Sequence, residues 1–319
     1  MSKKGWASPK VDTDASEKNA ILPAMDTFTG FHPAVNLLYF VAVIGFAMFF
    51  MHPVCLVISL VCALAYALHI NGKKALRLAL FIMLPILIFT AVLNPLFNHQ
   101  GGTILAYLPN GNPITMESTL YGLAAATMLI TVIAWFSSFN AVMTSDKIVY
   151  LFGRVIPALS LILAMSLRFV PRFRAQIKIV SNAQKCIGQD VTKGNILKRA
   201  RHGIKILSIM VTWALENAIE TADSMKARGY GLPGRTAFSI FRFDKRDAAG
   251  LVYILVCASA VILGAVLGAY RFRYFPTILG EWAGFWTIAF FVAYFALAAF
   301  PIFLNVREAI TWKRIESKI

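Results

Sequence analysis

Cysteine is scarce in this sequence, and its few cysteines are not arranged in pairs. Its 319 residues include 4 cysteines, and Cys55, Cys62, Cys186 and Cys257 form no Cys-x-x-Cys spacing. All but Cys186 lie within apolar runs, where they are expected to act as small core residues. The 5 histidines also lack metal-ligand spacing. The sequence therefore predicts no disulfide framework, no metal site and no cofactor.

Acidic residues are also few, and they are nearly absent from the long apolar segments. The chain has 15 Asp and Glu against 31 Lys and Arg. A membrane enzyme needs ionisable side chains within its spans, and a carrier needs polar groups near mid-membrane. No His-Glu-x-x-His, Asp-x-x-Asp or Ser/His/Asp arrangement is present within these apolar segments. The sequence thus predicts no catalytic residues and favours a scaffold whose substrate is bound by another subunit.

Apolar residues make up most of what is present. They account for 58% of the sequence, and its mean hydropathy is +0.67. Several apolar runs are long enough to cross about 30 Å of hydrocarbon. These runs lie near 34–51, 54–70, 78–97, 118–140, 248–269 and 283–304. The composition predicts an all-α polytopic membrane protein with about six transmembrane helices.

The distribution of Lys and Arg between these runs predicts the orientation. Lys73, Lys74 and Arg77 mark a cytoplasmic loop, since short basic loops are retained inside the cell. The connection 98–116 has no Lys or Arg and is rich in Gly, Pro and Asn, which predicts an irregular outer loop. Two arginines after the fifth run oppose this scheme. Both termini are nevertheless expected in the cytoplasm.

The formal net charge of +16 is concentrated in one interval. Sixteen Lys and Arg lie between Arg168 and Arg246, where they outnumber the acidic residues several-fold. Because this interval sits between membrane segments, it predicts a cytoplasmic domain and no nucleic-acid binding. The resulting regions are a flexible cytoplasmic tail at 1–30, spans one to four at 31–140, a basic cytoplasmic domain at 141–247, spans five and six at 248–306, and a cytoplasmic tail at 307–319.

An apolar stretch near 148–164 begins the basic domain and is harder to interpret. Arg154 and Pro157 interrupt it, and it is short for a span. We interpret it as an interfacial or bundle-buried segment. The alternative is one more pair of spans.

The basic domain contains two long amphipathic helical patterns. The second, from about 196 to 228, has an apolar stripe with alternating three- and four-residue spacing, which predicts a coiled-coil-like seam. The stripe consists of Leu197, Ala200, Ile204, Leu207, Val211, Ala214, Ala218, Thr221 and Met225. The face of the first pattern consists of Leu163, Val170, Phe173, Ile177 and Val180. Glu216, Glu220 and Asp223 share one face and are expected to pair with basic side chains of the first helix.

Both patterns end in a similar tetrapeptide. The two are Lys185-Cys186-Ile187-Gly188 and Lys226-Ala227-Arg228-Gly229. A glycine directly after the last helical turn is typical of a left-handed capping residue. The basic residues can also serve a local purpose, since they stabilise the negative end of a helix. Two helices with the same ending suggest a docking device for two similar partners.

Four motifs resemble those of the transmembrane T component of energy-coupling factor (ECF) transporters, the EcfT/CbiQ family. They are Ala227-Arg228-Gly229, Leu167-Arg168-Phe169-Val170-Pro171-Arg172-Phe173, Asn94-Pro95-Leu96-Phe97 and Phe31-His32-Pro33. The resemblance extends from about Phe31 to Gly231 and includes a basic two-helix insert between membrane spans.

The resemblance implies a subunit that is not an enzyme. Its two cytoplasmic coupling helices would dock onto two ABC-type ATPases, while its membrane helices hold a substrate-binding S component for vitamin or transition-metal uptake. The implied docking residues are Cys186, Ile187, Gly188, Ala227, Arg228 and Gly229. The supporting basic residues are Arg174, Lys185 and Lys226.

Ile187 departs from the pattern, because an arginine is expected at the centre of each docking motif. Isoleucine cannot make the charge-assisted contact that a guanidinium makes with a carboxylate. We therefore expect two ATPases with non-equivalent grooves. The alternative function is a self-contained membrane carrier or channel with a basic cytoplasmic regulatory domain.

Overall fold

The computed structural model describes residues 26–107, 109, 111–189, 195–232, 241–280 and 284–316. Contacts within the chain divide it into two units. The membrane unit comprises the described residues up to 144 and from 243 onward, and the coupling unit comprises those of 145–242.

The described residues are mostly helical. In chain order the helices are α1 (Pro33–Phe49), α2 (Pro53–Asn71), α3 (Lys73–Phe97), α4 (Met116–Val142), α5 (Ser145–Val155), α6 (Pro157–Cys186), α7 (Ile196–Ala227), α8 (Lys245–Val266) and α9 (Phe285–Glu316). Five of them, α2, α3, α4, α8 and α9, are long and apolar enough to cross a membrane. The first predicted span corresponds to α1, an apolar helix of 17 residues. The protein is an all-α polytopic membrane protein.

Helices α1 and α2 begin with the same dipeptide, His32-Pro33 and His52-Pro53. In each, the imidazole Nδ1 accepts a hydrogen bond of 3.2 Å from the backbone N–H two residues further on. Proline suits the first helical position because its fixed φ is helical and its missing N–H would have no partner there. The pair therefore acts as a start signal for each helix.

The core of the membrane unit is aromatic. Tyr39, Tyr66 and Trp135 are completely buried. The Tyr39 and Trp135 rings meet edge to face with centroids 6.1 Å apart, and Trp135 Nε1–H donates to Ser59 Oγ at 3.0 Å. Phe28 adds a further buried ring, 5.0 Å from that of Tyr39. This cluster joins α1, α2 and α4 around one core.

The end of the predicted N-terminal tail packs into this unit. Phe28 lies in a 3₁₀ turn, Thr27–Gly30, which is preceded by Asp26. The Asp26 carboxylate accepts hydrogen bonds from the Tyr66 hydroxyl at 2.9 Å and from Asn305 Nδ2 at 2.6 Å. These bonds tie the segment to α2 and α9, so packing begins before the predicted boundary at residue 30. The part of the tail before Asp26 lies outside the described residues.

Helix α9 runs past the predicted end of the last span at residue 306. It continues to Glu316, so residues 307–316 of the predicted C-terminal tail are helical. Residues 317–319 lie outside the described part of the chain.

Two short antiparallel ribbons connect spans. Strands β1 (Ile104–Tyr107) and β2 (Pro113–Thr115) pair within the loop predicted to be irregular, and β3 (Phe272–Arg273) pairs with β4 (Leu279–Gly280) between α8 and α9. Thr103 closes the first loop by donating its backbone N–H to the carboxylate of Glu117 at 3.2 Å. The loop is therefore more regular than its composition predicts.

The coupling unit consists of α5, α6 and α7. Helix α5 has 11 residues, while α6 has 30 and α7 has 32. Among the described helices of this unit, none is both long and apolar enough to span a membrane. The described helices therefore give no support to an additional pair of spans near 148–164.

Candidate functional site

Helices α6 and α7 pack through a small apolar cluster. Val180 of α6 is buried against Ile206 and Met210 of α7. Phe173 and Trp213 border this cluster, with ring centroids 5.3 Å apart at an interplanar angle of 88°. Edge-to-face pairs of this kind stabilise by about 0.5 to 1.5 kcal/mol beyond their buried area.

The order of these contacts reverses between the two helices. The earlier residue of α6, Phe173, meets the later residue of α7, Trp213, while Val180 lies in the cluster of Ile206 and Met210. The helices therefore run in opposing directions, and their C-terminal ends leave the contact on opposite sides. At 1.5 Å per residue, α6 extends about 10 Å beyond Val180 and α7 about 22 Å beyond Trp213.

The seam predicted on α7 is wrong by one residue. The stripe that packs consists of Ile206, Met210, Trp213 and Asn217. Members of the predicted stripe face away from α6: Leu197 is 79% exposed, Ile204 67% and Leu207 63%. One residue corresponds to a rotation of about 100° around the helix axis. Both stripes are apolar, so α7 keeps an exposed apolar stripe beside the packed one.

Both helices end in the same backbone motif. Gly188 has φ +78° and Gly229 has φ +79°. At the end of α6, Gly188 N–H donates to Lys185 O at 3.0 Å and Gln189 N–H donates to Gln184 O at 2.9 Å.

At the end of α7, the corresponding bonds run from Gly229 N–H to Lys226 O and from Tyr230 N–H to Met225 O, both at 3.0 Å. This bond pair defines the Schellman motif, in which the residue after the cap adopts a left-handed conformation. The predicted glycine caps are thus present at both ends. Ile187 and Arg228 occupy the same capping position, with φ of −94° and −86°.

The side chains at these two ends are open to solvent. Ile187 is 63% exposed, and Cys186, Ala227 and Arg228 are exposed as well. Among the described residues, Arg228 forms no ion pair or side-chain hydrogen bond. One end therefore presents a branched apolar side chain and the other a guanidinium with its donors available.

The predicted supporting residues Arg174, Lys185 and Lys226 are exposed. Lys185 and Lys226 stand at equivalent positions in the last turns of α6 and α7, where a positive charge stabilises the helix end. Arg174 lies further back on α6. The site thus consists of two separate basic tips.

The expected pairing of the acidic stripe with α6 is wrong for the described residues. Glu216, Glu220 and Asp223 are exposed, and none forms an ion pair with the described part of the chain. The three carboxylates lie on a face of α7 beside the packed stripe, and their side chains are open to solvent. A cation of α6 does contact α7: the guanidinium carbon of Arg172 lies 5.7 Å from the Trp213 ring centroid.

The Phe31-His32-Pro33 motif belongs to a clamp in the membrane unit that sequence reasoning did not identify. Arg246 places its guanidinium carbon 4.6 Å from the Phe31 ring centroid and donates to Gly30 O at 2.9 Å. Asp247 accepts the His32 N–H at 3.0 Å. We call Phe31, His32, Arg246 and Asp247 the return clamp, because it holds the chain where it returns from the coupling unit. Asp247 and His32 are 215 residues apart in the chain, so no local sequence pattern joins them.

The Asn94-Pro95-Leu96-Phe97 motif packs α3 against α4. Asn94 Nδ2–H donates to Ser118 O at 2.7 Å. A Cβ added at Gly122 would lie 2.9 Å from Asn94 Cβ and 3.0 Å from Ala91 O, so only glycine permits this approach. The motif therefore has a packing role.

The described ranges contain no metal-binding cluster of side chains. Within them, no group of three or more His, Cys, Asp or Glu is placed to hold a metal ion. The exposed helix ends offer hydrogen-bond donors and apolar surface, which suit them to binding another macromolecule.

Comparisons with known proteins agree with this architecture. The family described as cobalt transport protein, CbiQ, matches residues 29–238. Three relatives carry the name energy-coupling factor transporter transmembrane protein EcfT. The protein from Lactobacillus helveticus is 31% identical over 106 residues, which is 33% of this chain and only 38% of that protein.

Longer matches are found in two other organisms. The protein from Lacticaseibacillus paracasei is 31% identical over 183 residues, covering 53% of this chain and 69% of that protein. EcfT 1 from Listeria monocytogenes is 29% identical over 217 residues, covering 62% of this chain and 80% of that protein. Together with the match over most of its length, these similarities show that the chain belongs to the CbiQ family, the family of energy-coupling factor transporter T components.

Proposed function

We propose that this chain docks two ABC-type ATPases through the ends of α6 and α7 and couples their ATP-driven motion to a membrane-embedded S component. The observation that carries the proposal is the pair of matching Schellman ends on two exposed helices. Two identical backbone ends leaving a shared contact in opposite directions suit two similar partners. The chain itself performs no ATP hydrolysis in this proposal.

The two docking contacts are chemically different in this proposal. Arg228 offers planar donors to a carboxylate of one ATPase, and such charge-assisted bonds are roughly twice as strong as neutral ones. Ile187 offers only apolar surface to the other ATPase, unless Lys185 or Arg174 supplies a charge. The two ATPases therefore have non-equivalent grooves.

Motion reaches the membrane unit through covalent connections. The chain leaves that unit after residue 144 and returns at 243. Arg246 and Asp247 of the return clamp lie immediately after the second connection, and their contacts with Phe31 and His32 fix the start of α8. A displacement of the coupling helices would therefore act on the start of α8, which the return clamp fixes to the membrane unit.

The substrate is bound by the S component in this proposal, and the membrane helices of this chain hold that subunit. The family description, cobalt transport protein, supports uptake of a transition metal, and uptake of a vitamin is the alternative that the sequence resemblance implies. The exposed apolar stripe of α7 supports assembly with further subunits, because uncovered stripes of this kind mark interaction surfaces. Both termini lie in the cytoplasm in this arrangement.

Co-purification tests the proposal. The tagged full-length chain should capture both ATPases encoded near it, in a complex with two ATPase subunits per chain by native mass spectrometry. Reconstituted alone in liposomes, the chain should hydrolyse no ATP and move no solute. Solute transport by the isolated chain, or failure to capture any ATPase, would contradict the proposal and favour a self-contained carrier or channel.

A further inference from the structure

The beginning of α3 combines a groove with cationic side chains. The groove has a volume of about 510 Å³. Its lining residues are Lys74, Arg77, Leu78, Phe81 and Ile82. All five belong to α3 of the membrane unit.

The lining changes from charged to apolar along the helix. Lys74 and Arg77 are one turn apart and share a face, because residues three apart are neighbours on a helix. Phe81 follows Lys74 by two turns, about 10 Å along the axis. An amphiphile with an anionic head and an apolar tail has the same order of groups.

The described residues leave most of the surface of α3 uncovered. Only 6% of the residues in its most apolar window are buried, whereas the other four long spans have 22% to 39%. Phe81 is 74% exposed. Because α3 is apolar and long enough to span a membrane, this face meets hydrocarbon or another hydrophobic molecule.

The helix is also irregular at this point. A π-helical turn, Ala79–Met83, interrupts α3 directly beside the groove and includes Phe81. Such turns insert an extra residue and are frequent at functional sites. The irregularity coincides with the transition from the charged to the apolar part of the groove.

The cations have no anionic partner within the described part of the chain. Lys73, Lys74 and Arg77 are exposed, and none forms an ion pair there. Clusters of Lys and Arg at the end of a membrane helix attract anionic lipid headgroups, and arginine binds phosphate with two parallel bonds. Long basic side chains can reach the headgroup region while their stems stay in the apolar layer.

We propose that this groove binds an anionic phospholipid. The phosphate lies between Lys74 and Arg77, and an acyl chain follows Phe81 and Ile82. We call this the lipid groove. The lipid occupies the outer side of α3, so the site is independent of the docking of ATPases.

Native mass spectrometry of the purified full-length chain tests the proposal. The chain is titrated in detergent with phosphatidylglycerol and with phosphatidylcholine of the same acyl chains. In the double variant Lys74→Gln/Arg77→Gln, phosphatidylglycerol binding should weaken about tenfold to thirtyfold, while phosphatidylcholine binding should not change. The matched control is Arg307→Gln/Lys313→Gln, which removes two exposed charges from α9 and should change phosphatidylglycerol binding less than twofold.

A second variant keeps the test valid if the double variant does not fold. Phe81→Ala leaves both cations in place and should weaken phosphatidylglycerol binding about threefold by shortening the apolar contact. Equal losses in the groove and control variants, or no loss in either groove variant, would overturn the proposal. Displacement of the lipid by inorganic phosphate at the same concentration would also overturn it, because the site would then bind a free anion.

Discussion

The ends of α6 and α7 have the same backbone and different side chains. Both close with a glycine at φ near +80° and with the same two capping hydrogen bonds. At the shared capping position, α6 carries Ile187 and α7 carries Arg228, and both side chains are exposed. The geometry of the end is therefore independent of the side chain that it presents.

The backbone cap and the side chain that is offered for recognition are therefore separate properties of each helix end. A basic residue at a helix end can be explained by the helix dipole alone. That explanation does not extend to Ile187, because an exposed isoleucine stabilises neither the dipole nor the cap. In the proposed function, Ile187 is instead the apolar contact with one of the two ATPases.

The largest effect is expected at Arg228. Truncating one partner of a buried, hydrogen-bonded charge pair at an interface costs about 2 to 5 kcal/mol, partly because the other charge remains buried. Arg228→Ala should therefore weaken binding of one ATPase at least about thirtyfold. Binding of the purified ATPases to the full-length chain can be measured by surface plasmon resonance.

The control for this variant is Arg201→Ala. Arg201 is an exposed arginine near the beginning of the same helix and should have little influence on docking. Similar losses in the two variants would indicate a general charge effect and would contradict a specific contact at the end of α7.

A smaller effect is expected at Ile187. Ile187→Ala removes apolar surface that would be buried against the ATPase in the complex. This loss should cost about 1 to 2 kcal/mol, which corresponds to fivefold to thirtyfold weaker binding. The matched control is Ile179→Ala on the same helix, since Ile179 is 62% exposed and Ile187 is 63% exposed. ATPase binding and transport should be measured for both variants under identical conditions.

Equal effects of Ile187→Ala and Arg228→Ala would contradict the asymmetry. The salt dependence gives a second criterion, because salt weakens the attraction between opposite charges as the partners associate and does not weaken an apolar contact in this way. Raising the ionic strength should weaken the Arg228 contact in the wild-type chain and leave the Ile187 contact nearly unchanged.

Much of this comparison could be predicted from the sequence. The glycines at the two ends are confirmed as left-handed caps, since Gly188 and Gly229 both have positive φ. Periodicity also predicts two long helices correctly. A cap depends on residues within one turn, which explains why local sequence is sufficient for it.

The packed face of α7 could not be predicted in the same way. Both the stripe containing Ile204 and Leu207 and the stripe containing Ile206 and Met210 are apolar at helical spacing. The choice between them depends on α6, where Phe173 and Val180 contact Trp213 and the second stripe. Such tertiary contacts override periodicity.

The return clamp could not be predicted from the sequence for a similar reason. Its members are more than two hundred residues apart, so no local pattern joins them.

The smallest effect, and an equal one at both ends, is expected from the capping glycines. Gly188→Ala and Gly229→Ala place a Cβ in a left-handed conformation, which costs about 1 kcal/mol and frays the last turn. The amides of Gln189 and Tyr230, which donate the longer-range capping bonds, should exchange hydrogen roughly fivefold faster. Gly203→Ala is the opposite control. Gly203 lies inside α7 with no atom near the added Cβ, so alanine should stabilise the helix there by about 1 kcal/mol.

Unequal responses of the two caps would show that the ends differ in backbone as well as in side chain. The contrast between Ile187 and Arg228 could then no longer be assigned to recognition alone.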